Sequence, residues 1–334
     1  MAGILAGTSL GLVSSLWPVS GTAEEIRGLL REWEAAADPR PLVIETSGST
    51  GRPKRVVLSR GAMRASADAT HARLGGPGRW QLNLPPTYVA GVQVLYRTIR
   101  AGEHADRAYL SLVPTQLVRV LSSDERVDEL REYDAVLVGG GPLAPETRAE
   151  AESMGIRIVQ TYGMSETCGG CVYDGRPLDG VEIRIDGDEV LVRGPMLFDG
   201  YEGEPERTAA AFRDGWLVTH DLGHWAQDGR LCIDGRADDV IISGGVKVPA
   251  QAVARMIHDR VACDVEVVGA PDAEWGERVV AVVATGSPIS LEQVRDVVEP
   301  REWAPRQLVV VEAIPLLPTG KPDRQAIRKL AADA

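Results

Sequence analysis

The 334-residue chain has no uninterrupted apolar run near the roughly 20 residues a membrane helix needs, which argues against membrane insertion. Cysteine is scarce. Cys168, Cys171, Cys232 and Cys263 are too few and too scattered for a secreted disulfide framework, and they suit a reducing, cytoplasmic setting better. Positive charge is also short. Against 48 Asp and Glu stand 36 Lys and Arg, a net charge of -12, so there is no broad footprint for nucleic acid or an anionic membrane. The stretch before Pro18 is apolar, but no basic residue precedes Arg27, so the positive n-region of a signal peptide is missing. Anionic substrates must be met by local positive sites.

What is present is core-forming material. With 44% hydrophobic residues the chain can bury a large core, and its length predicts one large domain plus a smaller one. Thr22 and Glu25 form a capping box ahead of Ile26, Leu29, Leu30 and Trp33, whose spacing predicts an amphipathic helix. From residue 41 to about 163, short apolar runs at 41–45, 56–58, 109–113, 135–138 and 156–159 alternate with helical stretches such as 60–74 and 145–154. Such alternation predicts an α/β layered domain with largely parallel strands. After residue 175 the Asp186-Gly187 and Asp228-Gly229 turns predict added antiparallel hairpins. Beyond Ala237 a helix at 249–259, strands near 265–270 and 278–284, a helix at 291–299 and a strand at 307–311 predict a small α+β unit. The expected division is 1–236 and 237–334, with the boundary between Arg236 and Asp239.

Directly after the strand at 41–45 comes Thr46-Ser47-Gly48-Ser49-Thr50-Gly51-Arg52-Pro53-Lys54. Glycines let backbone amides turn toward an anion, hydroxyls add donors and Lys54 adds charge, which suits a triphosphate. It is not a Walker loop, because no Gly-Lys-Ser/Thr opens a following helix. By itself it also reads as a solvated Gly/Ser loop.

Five further blocks follow in order: GGGPL at 139–143, YGMSET at 162–167, GWLVTHDLG at 215–223, GRADDVIISGGVKV at 235–248 and PTGKPDR at 318–324. With this set the chain resembles the adenylate-forming superfamily of acyl-CoA synthetases, nonribosomal-peptide adenylation domains and luciferases. The resemblance implies ATP and coenzyme A as co-substrates and Mg2+ as the metal. It implies ATP contacts from Thr46, Ser47, Gly48, Ser49, Thr50, Gly51, Lys54, Gly140, Ser165 and Thr167. Tyr162 and Gly163 would wall the adenine, Glu166 would help hold Mg2+, Asp221 and Arg236 would bind the ribose, and Lys321 would be the adenylation lysine. A mobile C-terminal domain would pivot at Asp238, bringing Gly244, Gly245 and Lys247 toward CoA in place of Lys321. Read singly, each of these is also a solvated loop residue, a turn acid or a surface ion pair.

The segment at 82–102 bears on the acid. Pro85, Pro86 and a turn from Tyr88 to Gly91 lead into an apolar helix with Arg97 inside it. It resembles the o-succinylbenzoate-CoA ligase group of menaquinone biosynthesis, short actinobacterial type, in which an arginine on this helix attends the carboxylate that is not activated. A guanidinium suits that task. Tyr88 departs from the histidine common there, and Arg97 has the alternative of pairing with an acid on a neighbouring helix. Gly139, Gly163, Tyr88 and Gly91 are the other acid-pocket candidates. Cys168 and Cys171 have metal-ligand spacing but lack a second pair, and His220 and His224 do not supply one, so small residues lining an acyl pocket are the preferred reading. The residues leave open another aromatic or aliphatic acid, a carrier thiol as acceptor, a nucleotide-binding regulatory relative without turnover, and a homo-oligomeric state.

Overall fold

The first helix, Ala23–Ala35, begins where its capping box predicts: Glu25 donates its backbone N–H to the Thr22 hydroxyl at 3.3 Å, and the Glu25 carboxylate accepts from the Thr22 backbone at 2.7 Å. Ile26, Leu30 and Trp33 face inward, and Leu29 is half-buried. Trp33 donates from Nε1 to the Arg40 carbonyl at 2.7 Å and meets Tyr96 edge-on. Truncating so large a buried side chain costs about 3–5 kcal/mol. These coordinates form a computed structural model that describes residues 16–46, 54–102, 105–261, 263–286, 288–317 and 322–334.

The strands Gly78–Gln81, Arg107–Leu112, Ala135–Gly139 and Ile158–Met164 lie parallel in that order, and Gly169–Tyr173 and Arg176–Pro177 extend the sheet antiparallel. Runs such as Ala135 to Val138 are wholly buried, as strands covered on both faces require. The expected single alternation is interrupted at its start. Leu42–Thr46 and Lys54–Leu58 pair antiparallel in a separate four-stranded sheet with Trp17–Pro18 and Gly200–Tyr201. Residues 47–53 are too few for the crossover of a dozen or more residues that parallel pairing demands.

The two predicted hairpins form, with one shift in register. Asp186 pairs with Glu189, so the turn is Gly187-Asp188, with Gly187 at φ 64°. Glycine reaches that left-handed φ without Cβ strain, which places it first in the two-residue loop. Trp216–Trp225 then binds both Glu189–Arg193 and Leu231–Arg236.

In the C-terminal part Gly276–Ala284 is central. It pairs antiparallel with Asp264–Asp272 and with Val240–Ser243, and parallel with Gln307–Val311. Helix Ala250–Val261 covers one face through Val253 and Ile257, and helix Arg324–Asp333 covers the other through Ile327 and Ala331. Among the described residues, no helix is long and apolar enough to cross a membrane.

Candidate active site

The C-terminal ends of parallel strands are where open α/β sheets collect ligands, because each strand there releases its backbone into a loop. Gly139 and Gly140 sit at the end of Ala135–Gly139, and Tyr162 to Met164 close Ile158–Met164. A Cβ on Gly139 would lie 2.1 Å from the Thr161 hydroxyl, and one on Gly163 would lie 2.1 Å from the Gly169 carbonyl. Both glycines are thus required by packing. The chain then makes a short 3-10 turn, Ser165–Thr167. Thr167 was expected beside ATP, yet its side chain is wholly buried. Its hydroxyl accepts from the Met164 N–H at 2.9 Å and lies 2.7 Å from the Gly169 carbonyl. Its side chain holds the turn that presents Glu166.

Glu166 meets two partners from the neighbouring sheet. Tyr201 donates its hydroxyl to Glu166 Oε1 at 2.8 Å, and Lys54 Nζ stands 3.9 Å from the same oxygen. Lys54 also sits over the Tyr201 ring, 5.6 Å from its centroid. Burial, and then the Glu166 charge, push the Tyr201 hydroxyl well above its ordinary range, so it remains a neutral donor. At 3.9 Å the Lys54 contact is loose, and among the described residues the ammonium keeps donors for an anion and Glu166 Oε2 has no partner. Tyr201 carries no signal in the motif pattern; it reaches this place only through the pairing of Tyr201 with Val56.

A second cluster is more tightly built. Asp221 and Arg236 are direct cross-strand partners, and Arg236 Nη1 donates to Asp221 Oδ1 at 3.0 Å. Tyr162 donates its hydroxyl to Asp221 Oδ2 at 2.6 Å. Asp221 is only 6% exposed. Burial pushes its carboxyl above the usual range, while Tyr162 and Arg236 pull the other way. Arg236 also donates from Nη2 to Asp238 at 3.0 Å, so the residue expected at the hinge is already tied to the residue expected at the ribose. A carboxylate has about four acceptor directions, so Asp221 retains capacity for ligand hydroxyls.

Asp238 lies in the 3-10 turn Ala237–Asp239. The next residue, expected at the domain boundary, is not merely a linker acid. Asp239 is buried, pairs with Arg324 Nη1 at 2.5 Å and stands 3.7 Å from Arg328, both on the C-terminal helix. Val240–Ser243 and Val246–Pro249 form a hairpin with Gly244 and Gly245 at its tip, at φ 59° and 80°. Gly244 backs onto the Trp275 ring, whereas a Cβ on Gly245 would meet nothing within 4 Å. Lys247 is exposed on the same hairpin.

Helix Val89–Ala101 starts immediately after Tyr88, so Gly91 belongs to its first turn and not to a preceding loop. A Cβ there would lie 2.1 Å from the Pro85 carbonyl. Arg97 is 4% exposed, and no described acid lies within ion-pair distance of it. The acids that a neighbouring helix could offer are engaged elsewhere: Asp68 pairs with Arg100 at 2.8 Å, and Glu34 pairs with Arg64 at 2.8 Å. Arg97 instead lies 5.0 Å from the centre of the Trp80 ring.

Cys168 and Cys171 are fully buried in different hydrophobic clusters, so they line no shared pocket and share no ligand direction. Burial pushes both thiols up, leaving them protonated and inert. His220 and His224 face outward beside Glu189 and Asp234. Ser47, Gly48, Ser49, Thr50, Gly51 and Lys321 lie outside the described residues. Among those described, no group of three or more His, Cys, Asp or Glu is placed to hold a metal ion. Glu166, one oxygen of which has no partner among the described residues, still fits Mg2+, which uses one or two carboxylates and completes its shell with phosphate oxygens and water.

Residues 103–202 match the family described as AMP-binding enzyme. The chain is 39% identical to a probable 2-succinylbenzoate–CoA ligase of Mycobacterium tuberculosis, over 99% of this chain and 94% of that protein. A 2-succinylbenzoate–CoA ligase of Enterococcus faecalis is 29% identical over 76% of this chain, which spans 61% of that relative's length. Among solved structures, the o-succinylbenzoate CoA synthetase MenE of Bacillus subtilis, in complex with the acyl-adenylate intermediate OSB-AMP, matches with TM-score 0.73 and 26% identity. That match covers 86% of this chain and 68% of the other. The amide bond synthetase McbA of Marinactinospora thermotolerans matches with TM-score 0.78 and 29% identity, over 87% and 69% of the two chains.

Proposed function

The chain belongs to the 2-succinylbenzoate–CoA ligase family of AMP-binding enzymes, and from that premise we propose that it converts o-succinylbenzoate, ATP and CoA into o-succinylbenzoyl-CoA, AMP and pyrophosphate, a step of menaquinone biosynthesis. In the first half-reaction a carboxylate oxygen of the acid attacks the α-phosphorus, and pyrophosphate leaves to give the acyl-adenylate. In the second, the CoA sulfur attacks the acyl carbon, losing its proton, and AMP leaves.

The roles follow from chemistry. Lys54 and the loop from Thr46 to Gly51 bind the phosphates. Glu166, steadied by Tyr201, would hold Mg2+, which supplies charge neutralisation at the phosphates when bound. The Tyr162 ring and Gly163 border the adenine. Asp221, kept in place by Tyr162 and Arg236, accepts from the ribose hydroxyls. Lys321 spans the substrate carboxylate and α-phosphate, where a compact ammonium stabilises charge that develops at both. One arrangement cannot serve both half-reactions, because Lys321 must withdraw before a thiol can approach. We assign the division 1–236 and 237–334 and the pivot at Asp238 accordingly, with Gly244, Gly245 and Lys247 facing CoA in the second half-reaction. The four cysteines, all free, suit a reducing cytosol.

The observation that carries the choice of acid is Arg97, a buried cation with no described acid to pair with. A protein seldom leaves a buried charge uncompensated, and a dicarboxylate brings its own counter-ion. The test is incubation with ATP, Mg2+, o-succinylbenzoate and CoA, with AMP, pyrophosphate and the acyl-CoA as expected products. Pyrophosphate without acyl-CoA would move the acceptor to a carrier thiol. No substrate-dependent pyrophosphate would overturn the reading.

A further inference from the structure

Arg97 is one of four neighbouring buried side chains, each carrying a polar atom without a partner among the described residues. They are His71 Nε2, Trp80 Nε1, Gln93 Oε1 and Arg97 Nε. None of the four residues is more than 7% exposed. They converge from three elements: His71 from helix Arg60–Leu74, Trp80 from strand Gly78–Gln81, and Gln93 and Arg97 from one face of helix Val89–Ala101, a turn apart. The Trp80 ring lies 5.0 Å from the guanidinium carbon. Arg97 stands near enough to His71 for its charge to act on the imidazole. Burial first, and then Arg97, depress the imidazole to about 4, so His71 is neutral at physiological pH. Gln93 is fixed by its own amide, which donates to the Cys168 carbonyl at 2.8 Å.

Among the described residues, His71, Trp80 and Gln93 beside the cation carry no charge. A π face steadies a buried guanidinium without cancelling its charge, and a neutral imidazole and an amide add polarity without a counter-ion. An aspartate or glutamate at His71 or Gln93 would offer the guanidinium a counter-ion and consume its charge. We infer that His71, Trp80 and Gln93 are specificity-determining positioning residues: an uncharged sleeve that holds Arg97 unneutralised, so that its guanidinium pairs with the carboxylate of the acid that is not activated. The inference rests on the function proposed above and adds three residues to it.

The experiment uses the full chain and two acids that share the activated arm, o-succinylbenzoate and 3-benzoylpropionate, which lacks the ring carboxylate; pyrophosphate release is the readout. Unaltered protein should prefer o-succinylbenzoate in kcat/KM by about tenfold or more, as expected where a site's charged hydrogen bonds go unmet by the analogue. His71→Asp delivers a carboxylate to Arg97 from one helix. The nearly isosteric Gln93→Glu delivers it from the other, so either variant that retains a cooperative thermal transition decides the matter. Each should raise KM for o-succinylbenzoate about tenfold while leaving KM for 3-benzoylpropionate within about twofold. His71→Asn, which adds no charge, should preserve the preference. Equal effects of the acidic variants on both acids, or no preference in the unaltered protein, would overturn the inference and leave the ligase reading standing. An unaltered protein inactive with both acids would instead remove the ligase reading on which it depends.

Discussion

The site has two sides, and they are built differently. On the sheet side Asp221 is buried, both of its oxygens are held by named donors, and Arg97 is buried over the Trp80 ring. On the hairpin side Gly245 stands in open space and Lys247 is exposed. Fixed polar groups preorganise a site for one bound species, and their cost is met when the chain folds. An open glycine tip with one exposed lysine holds nothing in advance and suits a partner that arrives later. The contrast matches two half-reactions in which the nucleotide and acid stay in place while the other contacts are exchanged.

Lysine usage sharpens the same contrast. Of the 36 Lys and Arg only four are lysine, and three of these are Lys54, Lys247 and Lys321. Where arginine serves nearly everywhere else, the positions that keep a compact ammonium are those proposed to meet phosphate or carboxylate groups.

The largest expected effect tests the exchange itself. Lys321→Ala should slow adenylation by about a thousandfold, as loss of a transition-state donor does. Thioester formation from supplied acyl-adenylate should stay within about threefold, and equal loss in both half-reactions would break the two-sided picture. Next, Asp221→Ala leaves the Tyr162 hydroxyl and Arg236 Nη1 without their acceptor. It should destabilise the fold by about 3 kcal/mol in denaturant titration and raise KM for ATP. Asp238→Ala, at an exposed ion pair, should cost under about 1 kcal/mol. Comparable losses would show that the sheet side is not the more preorganised.

Stability against pH probes the enclosed cluster. His71 titrates near 6.5 in the unfolded chain and at about 4 when folded, flanked by the charges of Arg97, Asp68 and Arg100. A depressed value means that stability is fully present above 6.5 and is lost as pH falls through about 4. The loss should reach about 3 kcal/mol, and His71→Asn should flatten it in thermal melts between those limits. Arg97→Leu should raise KM for o-succinylbenzoate about tenfold, with little change for 3-benzoylpropionate. The smallest effect belongs to the open side. Lys247→Ala should raise KM for CoA about two- to fivefold and leave adenylation untouched, since an exposed lysine contributes little beyond a screened charge.

Much of this was legible in advance because it is local. The capping box at Thr22 and Glu25, helix Arg60–Leu74 and the strand at Ala135–Gly139 each follow from spacing over a few residues. Asp221 and Arg236 were joined only by the resemblance, as a ribose pair; their cross-strand register is set by the hairpin. A hydroxyl beside a ligand and one closing its own turn look alike in sequence, and only the structure shows that the Thr167 hydroxyl closes its turn. Gly91 was placed in a turn because a glycine in the first turn of a helix, kept small by Pro85, carries no distinct local signal.

The sequence by itself determined the ordered blocks, the strands and helices that carry them, and the kinds of group available for ATP and an acid. These depend on periodicity and on residues near one another in the chain. Only the tertiary structure decided that Tyr201 steadies Glu166, that Asp239 binds the C-terminal helix, and that Arg97 has Trp80 and His71 as neighbours and no described acid. Those partners are 17 to 89 positions apart in the chain, and whether a buried charge is paired is a property of the space around it.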